Sequence, residues 1–413
     1  MNYERQMPSR MALEKAKSTL NLLNLRVDFQ QYGAEIKTSH CKLIDDQSHS
    51  IFYGCGKGIG IQSMVSACFE ALEHYAVFDF CQKHQNNYFS LSDPLIADPL
   101  KTHQLLSPPI YQETAEMPFA RFEEISTGEI LYYPLYLIDP RYAKSPAAKD
   151  TFNYEPYSWQ ACDSGIASGT NEEEASIHAL NEAIERDAYS LFLIQAFLLQ
   201  GPVSIIDKNS VPEYLKEMIN QIEQEYNEEL LLVDITSDLG IPSVLVSLTK
   251  QSMPIQPIGC GTSLYKDYAL ERALLESLQP LHLFNDHLLE NQQKTLDNLA
   301  EKPLLAQCAK ADIASLSAQF QIKHFDSLPD YKGASSLNQQ LETIIQSIRK
   351  QNFSIYKTNL AELDSGFHCV KYIIPGLEQF YLVEIGKHIL PNTRGMNFIR
   401  NRQATISKLK EVN

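Results

Sequence analysis

SGIASGTNEEEASIHALNEAIERDAY, residues 164–189, joins a glycine- and serine-rich segment to a helical pattern with many acidic residues. At about 100° per residue, Glu174, Glu182 and Glu185 fall within roughly a quarter-turn of one another, and apolar residues occupy the opposite side. Three carboxylates on one stripe repel one another, so we expect a cation between them. A divalent ion that holds a phosphate is the simplest candidate.

The same arrangement occurs at two other places in the chain. In each copy a polar residue is followed by Ala, by Glu four positions on, and by Glu or Gln seven positions on. The copies are SACFEALE at 66–73, HALNEAIE at 178–185 and RALLESLQ at 272–279. This spacing places three polar side chains on one helical stripe. Glycine turns are predicted before each copy, at Gly56 and Gly58, Gly169 and Gly261. A single acidic helix is usually only a solvated face, but three copies in one register indicate a shared site.

Composition limits the function classes. A chain of 413 residues predicts one large composite domain or two tightly packed ones. The net charge of −16, without a basic run, argues against a nucleic-acid partner. The eight scattered cysteines form no Cys-x-x-Cys pair, which disfavours structural zinc and a disulfide framework. No apolar signal segment or membrane span is found, so we expect a cytoplasmic protein with no membrane partner.

The remaining patterns predict a mixed α/β fold. Helices are expected over 8–24 and 211–226, strands joined by turns at 126–128 and 238–240, and paired strands over 352–360 and 367–377. Residues 80–114 predict an aromatic and proline-rich loop, and residues 285–350 predict helix with polar loops. The segment YGCGKGIGI, residues 53–61, predicts a loop whose backbone amides approach a phosphate, with Lys57 adding charge.

If the three stripes converge, they suit ATP and Mg²⁺. Carboxylates can face the negative phosphates only through Mg²⁺, and the number of acids suggests more than one ion. Arg186 and Arg272 would contact phosphate oxygens directly. Two alternatives remain at this point: a pair of carboxylates for hydrolysis, and ordinary salt-bridged helix faces.

Four segments resemble, in order and spacing, the signature segments of the YcaO family. They are GKGIGIQSMVSACFEALEHY, SGTNEEEASIHALNEAIERDA, GCGTSLYKDYALERALLESLQ and VKYIIPGLE. The resemblance implies a YcaO-type α/β fold whose glutamate-bearing helices surround an ATP and Mg²⁺ site. It also implies three parts: an N-terminal helix and strand segment at 1–50, a YcaO domain at 51–385 and a C-terminal tail at 386–413.

The resemblance also assigns roles to individual residues. It implies ATP contacts and metal ligands on the three stripes, with catalytic roles for Glu182, Arg186 and Arg272. The implied ATP contacts are Arg10, Lys57, Ser66, Asn171, Arg186, Arg272 and Gln279, and the implied metal ligands are Glu70, Glu73, Glu174, Glu182, Glu185 and Glu276.

The implied activity is ATP-dependent cyclodehydration of a ribosomally made precursor peptide, which forms thiazoline or oxazoline rings from Cys, Ser or Thr in the biosynthesis of modified peptides such as bacteriocins. A leader-peptide-binding partner protein is expected, and a flavin-dependent dehydrogenase would convert azolines to azoles. The chain departs from the family at His74 and Leu281, where arginines are common, and its end, RNRQATISKLKEVN, lacks a proline-rich tail. Thioamide formation, modification of a ribosomal protein and a non-catalytic scaffold therefore stay as alternatives.

Overall fold

The computed structural model describes residues 3–102, 115–155, 157, 161–251, 253–333 and 336–401. These residues form a mixed α/β structure, as the sequence predicts. The helices are α1 (Ser9–Leu22), α2 (Gln62–His84), α3 (Pro94–Thr102), α4 (Leu135–Ile138), α5 (Glu172–Leu193), α6 (Glu213–Tyr226), α7 (Lys266–Ser277), α8 (Gln279–His282), α9 (Asp286–Asn298), α10 (Pro303–Lys310) and α11 (Leu337–Lys350). The strands are β1 (Arg26–Tyr32), β2 (Ile36–Asp45), β3 (Ser50–Ile59), β4 (Tyr88–Ser90), β5 (Glu116–Glu124), β6 (Ile130–Pro134), β7 (Ile166–Gly169), β8 (Val203–Ile206), β9 (Leu230–Asp234), β10 (Ser243–Leu248), β11 (Ile258–Thr262), β12 (Phe320–Lys323), β13 (Tyr356–Glu362) and β14 (His368–Ile373).

The chain divides into two compact units. The first comprises Met1–Ala183 and Ser336–Pro375, and the second comprises Ile184–Ser335 and Gly376–Asn413. The first unit holds an antiparallel sheet of order β1-β2-β3 and a larger sheet of order β4-β5-β13-β14-β7, with β6 beside β5. The second unit holds a sheet of order β11-β10-β9-β8-β12, in which the β8–β12 pair is parallel. The boundary between the units falls within α5, so this helix contributes its first half to one unit and its second half to the other.

Glycines in β3 pack directly against α2. A Cβ atom at Gly56 would lie 1.9 Å from the Ser63 carbonyl oxygen and 2.2 Å from the Ala67 nitrogen. At Gly54 it would lie 2.2 Å from the Ala67 oxygen. The absent side chains therefore let helix and strand approach closely. The prediction of a loop over 53–61 is wrong as far as Ile59, because 50–59 is a strand whose Gly54 and Gly56 face a helix, and a phosphate contact there stays a prediction.

The second unit repeats this arrangement in β11 and α7. A Cβ atom at Gly259 would lie 2.1 Å from the Ala273 oxygen, and one at Gly261 would lie 2.1 Å from the Ala269 oxygen. The predicted glycine turn before the third polar stripe is therefore also a strand. In both units a helix that carries a polar stripe packs closely against a strand that contains glycines.

The other secondary-structure predictions are largely confirmed. The hairpins β5–β6, β9–β10 and β13–β14 form as expected. Residues 80–114 differ, because α2 continues to His84 and is followed by β4 and α3; the LLSPPIY part lies outside the described residues. Helices occupy much of 285–350, but the pattern did not predict β12, a four-residue strand whose side chains are half-buried or exposed.

Candidate functional site

In the first unit, acidic residues of α2 and α5 come together. Glu70 and Glu73 lie on α2, and Glu182 lies on α5. Burial, the charges of Glu182 and Glu70, and then that of Asp163 raise the pKa of Glu73 well above its usual range. The first stripe and part of the second thus converge, as predicted. Asp163 is an addition, because it precedes the repeated segment and no periodicity marks it.

A buried lysine accompanies these acids. Lys371 of β14 is 2% exposed, and its Nζ donates a hydrogen bond to the Ser164 carbonyl at 3.2 Å. Burial lowers the pKa of Lys371, and the negative charges of Asp163 and Glu182 oppose that shift. Lys371 belongs to none of the repeated segments. Its only signal is a lysine inside the apolar strand CVKYII, where a charge is costly unless paired.

The acidic cluster of the first unit consists of Glu70, Glu73, Glu182 and Asp163. Within the described parts of the chain, no three acidic, His or Cys side chains already have an arrangement that could hold a metal ion. Mg²⁺ that arrives with a nucleotide takes one or two protein carboxylates, and phosphate and water oxygens complete its shell. The mutual repulsion at Glu73 and the all-oxygen donor set therefore fit Mg²⁺ bound together with a phosphate.

Glu174 organises the start of α5. Asn171 Oδ1 accepts the Glu174 N–H at 2.9 Å, and the Glu174 carboxylate accepts the Thr170 N–H at 3.1 Å. Asn171 thus caps the helix N-terminus, and the Glu174 side chain satisfies the backbone donor of Thr170, the residue before the cap. The buried Glu174 carboxylate also pairs with Arg5 at 3.0 Å. Its role as a metal ligand stays a prediction, since in this structure three donors already hold it.

The predicted contacts nearer the N-terminus are more scattered. Arg10 is exposed in the first turn of α1, whereas Arg5, which the sequence analysis passed over, reaches α5. Lys57 is half-buried on β3, opposite Thr38 of β2. Ser66 is half-buried on α2, one turn before Glu70. The ATP contacts assigned to Arg10, Lys57 and Ser66 stay predictions.

In the second unit, residues of the second and third stripes surround Cys260 of β11. Burial, followed by the charges of Glu185 and Glu276, raises the pKa of the Cys260 thiol, and the charge of Arg186 lowers it. Glu185 and Arg186 come from α5 and Glu276 from α7, so these two stripes also lie near each other, and a single site formed by all three stripes stays a prediction. The buried thiol stays protonated, which argues against a nucleophilic cysteine at this position.

Both predicted phosphate-binding arginines lie over tyrosine rings. The Cζ atom of Arg186 lies 5.1 Å from the centre of the Tyr381 ring, and that of Arg272 lies 6.0 Å from the centre of the Tyr268 ring. A guanidinium group over an aromatic face is held in place and keeps its edge for hydrogen bonds. Gln279 lies beyond the end of α7, as the first residue of α8.

None of the helices among the described residues has the length and apolar character needed to cross a membrane.

A family model described as YcaO cyclodehydratase, ATP- and Mg²⁺-binding, matches residues 55–378. The chain belongs to the YcaO family. An uncharacterized protein of Methanothermobacter thermautotrophicus is 24% identical over 347 residues, which cover 81% of this chain and 84% of that protein.

Two solved structures have the same fold. YcaO from Methanopyrus kandleri, bound with AMPPCP and Mg²⁺, is 17% identical with a TM-score of 0.65, covering 95% of this chain and 98% of that one. A heterocyclase in complex with substrate and cofactor is 17% identical with a TM-score of 0.67, covering 95% of this chain and 57% of that one. At these identities the likeness shows the fold alone.

Membership of the YcaO family identifies ATP and Mg²⁺ as the cofactors and supports an ATP-dependent enzyme of the cyclodehydratase type. The two groups of residues described above are consistent with those cofactors. The cluster of the first unit consists of carboxylates, which suit Mg²⁺, and the second unit has an arginine beside carboxylates, which suits phosphate.

Proposed function

We propose that this YcaO protein is the cyclodehydratase component that forms thiazoline or oxazoline rings from Cys, Ser or Thr residues of a ribosomally made precursor peptide. The acidic cluster of the first unit is the observation that carries the proposal. The charges of Glu70, Glu182 and Asp163 help to raise the pKa of Glu73, so these carboxylates repel one another. Mg²⁺ bound among these carboxylates would relieve that repulsion.

In this proposal Glu70, Glu73 and Glu182 hold Mg²⁺, while Arg186 and Arg272 contact phosphate oxygens. ATP, when bound with Mg²⁺, supplies the phosphoryl group that makes the substrate amide oxygen a good leaving group. The arginines orient the phosphate through guanidinium hydrogen bonds and spread the charge that develops on it. The side chain of the substrate Cys, Ser or Thr attacks the preceding amide carbon, and the peptide loses the elements of one water for each ring.

The partners belong to the same proposal. A solved structure with the same fold is a heterocyclase in complex with substrate and cofactor, and in this proposal the substrate of this chain is a peptide. A separate leader-peptide-binding protein would deliver the precursor, and a flavin-dependent dehydrogenase would act afterwards if azoles are the final product.

The test is co-expression of this chain with candidate precursor peptides and partner proteins, followed by intact mass of the peptide. Glu182→Gln should abolish the mass change and ATP consumption, because it removes a proposed Mg²⁺ ligand while keeping the shape of the side chain. Glu173→Gln is the matched control, since Glu173 lies on the same helix and has no assigned role. Loss of one water per ring with the wild type and the control, but not with Glu182→Gln, is the expected result.

Other outcomes separate the alternatives. Replacement of oxygen by sulfur in the peptide would identify a thioamide-forming enzyme with the same nucleotide site. Full turnover by Glu182→Gln would refute the site assignment. An unchanged peptide mass with every partner, despite Mg²⁺-dependent ATP binding, would favour a scaffold role.

A further inference from the structure

The segment Phe380–Ile385 of the second unit forms a 3₁₀-helix that is hydrogen-bonded to residues of α5. Phe380, Leu382 and Val383 are buried and fix the segment. In a 3₁₀-helix the side chains at positions i and i+3 eclipse each other. Tyr381 and Glu384 have this spacing, so they occupy one side of the segment.

Hydrogen bonds tie this segment to the backbone of Arg186. Ser190, one turn after Arg186 on α5, donates its hydroxyl to the Arg186 carbonyl at 2.7 Å. The same hydroxyl accepts the backbone N–H of Tyr381 at 3.0 Å. Ser190 is fully buried, so this connection is protected from water. The backbone at Tyr381 is therefore fixed relative to the backbone at Arg186.

Two side chains of the segment act on the Arg186 side chain. The Tyr381 ring lies under the guanidinium, with its centre 5.1 Å from Cζ. Glu384 shares a side of the segment with Tyr381; burial raises the pKa of its carboxyl to about 7, and the Tyr189 hydrogen bond and the charge of Arg186 oppose that shift. A ring on one face and a carboxylate nearby restrict an otherwise flexible arginine.

Glu384 is itself held by a buried tyrosine. The hydroxyl of Tyr189, a residue 1% exposed on α5, donates a hydrogen bond to Glu384. Burial and the Glu384 charge raise the pKa of Tyr189 well above its usual range, so the phenol keeps its proton and remains a donor. Tyr189 thus fixes the carboxylate that faces Arg186.

We infer that Glu384, held by Tyr189, and the ring of Tyr381 are positioning residues that hold the Arg186 guanidinium ready for a nucleotide phosphate. The inference rests on the proposed function only in taking phosphate as the partner of Arg186. It adds Glu384, Tyr189 and Tyr381, none of which belongs to the three repeated segments of the sequence. The segment acts through Arg186 and does not itself touch the nucleotide.

Glu384→Gln distinguishes positioning from a simple charge effect, because the two predict opposite results. A carboxylate near phosphate would by itself repel ATP, so its removal would lower the KM for ATP. If Glu384 positions Arg186, its removal raises that KM. We expect a rise of about 3- to 30-fold, with a smaller change in kcat. A lowered or unchanged KM overturns the inference.

Further variants test the same chain of contacts. Tyr381→Leu should raise the KM for ATP, and Tyr381→Phe should restore it because the ring remains. Tyr189→Phe should raise it less than Glu384→Gln, because the carboxylate stays but loses its donor. Glu271→Gln, which removes a half-buried acid of α7 outside this contact, should leave the KM unchanged. Equal values for Tyr381→Leu and Tyr381→Phe would also contradict the inference.

The measurement is peptide-dependent ADP release at varied ATP, together with calorimetric binding of AMPPCP and Mg²⁺ without peptide. In an Arg186→Ala background Glu384→Gln should have no further effect, since the two residues act as one unit. If Glu384→Gln raises the KM for ATP as much in the Arg186→Ala background as in the wild type, positioning through Arg186 is refuted.

Nucleotide binding without any peptide product would refute the proposed function while leaving these binding comparisons valid. Turnover that is insensitive to Glu384→Gln would refute this inference alone. Thermal unfolding of each variant identifies those that fail to fold. If Glu384→Gln fails to fold, the comparison of the KM for ATP between Tyr381→Leu and Tyr381→Phe tests the inference.

Discussion

Gly56→Ala should separate helix α2 from its strand. The new Cβ would lie 1.9 Å from the Ser63 oxygen, whereas ordinary contact begins at 3.4 Å, so α2 has to move by about 1.5 Å. Gly56 has no positive φ angle, so the backbone itself accepts alanine and the cost comes from packing. The shift disturbs a helix whose buried residues, including Ala67 and Leu72, belong to the main core of the first unit. For an overpacked, dense interior we expect a loss of about 3 kcal/mol in the free energy of unfolding.

Urea unfolding followed by circular dichroism measures this loss, and Gly333→Ala is the matched control. Gly333 has open space around its Cβ position and no positive φ angle, so its substitution should change the free energy of unfolding by less than about 0.5 kcal/mol. The same experiment distinguishes two roles of Gly56, close packing of β3 against α2 and the phosphate contact that the sequence suggested. Unchanged stability of Gly56→Ala with weakened binding of AMPPCP and Mg²⁺ would refute the packing argument and favour a phosphate contact.

Three further predictions concern buried charges. Arg394→Met should cost about 3–5 kcal/mol in urea unfolding, because it leaves the fully buried Asp187 without its two-bond ion pair; equal stability of Arg394→Met and Arg394→Lys would contradict this. Burial raises the pKa of Glu378 from 4.5 to about 7, so the native state keeps a proton that the unfolded chain loses, and stability should fall as pH rises between these values. Glu378→Gln should reduce that slope in urea titrations at several pH values, and an identical slope would disprove the burial argument. Glu73→Gln should stabilise the metal-free protein at neutral pH by about 1–3 kcal/mol, because an amide replaces a partly buried carboxyl that neighbouring acids repel. The same variant should abolish the thermal shift caused by AMPPCP with Mg²⁺. A less stable Glu73→Gln protein would contradict the repulsion argument.

The sequence predicted the elements that local patterns specify. The hairpin at β5–β6 follows from alternating apolar residues around Ser126-Thr127-Gly128, and the helix α5 follows from the polar stripe that includes Glu182 and Glu185. The polar stripes also predicted which helices carry the candidate site, because an i, i+4, i+7 spacing has one meaning on a helix. These signals are local, so one sequence is enough to detect them.

The glycines show why the same reasoning failed elsewhere. Alternating glycines suit a loop around a phosphate and also a strand beneath a helix, and the difference depends on what packs against them. For Gly56 that partner is α2, which supplies Ser63 and Ala67 from the next element of the chain. The sequence carries the requirement for a close approach but does not say whether a ligand or a helix makes it.

Long-range contacts were also beyond the sequence. Arg5 reaches Glu174 across 169 positions, and Lys371 reaches Ser164 across 207 positions. Neither residue belongs to a periodic pattern. Glu384 likewise lies in a short 3₁₀-helix after Pro375-Gly376, where no repeat marks it. The residues that support a site were therefore harder to predict than the residues that form it.

The acidic cluster of the first unit has a cost in the absence of a ligand. Burial and neighbouring carboxylates both disfavour the charged form of Glu73, and a buried charge is tolerated only when it is paired. Lys371 supplies one positive charge among these acids, yet its own pKa is lowered by burial, so it balances only part of their negative charge. A fold selected for stability alone would replace one of these acids with an apolar residue, as usually happens in protein cores. In the proposed function a divalent cation would offset the repulsion among Glu70, Glu73, Glu182 and Asp163, because the single charge of Lys371 lies near Asp163 and Glu182 and balances only part of it.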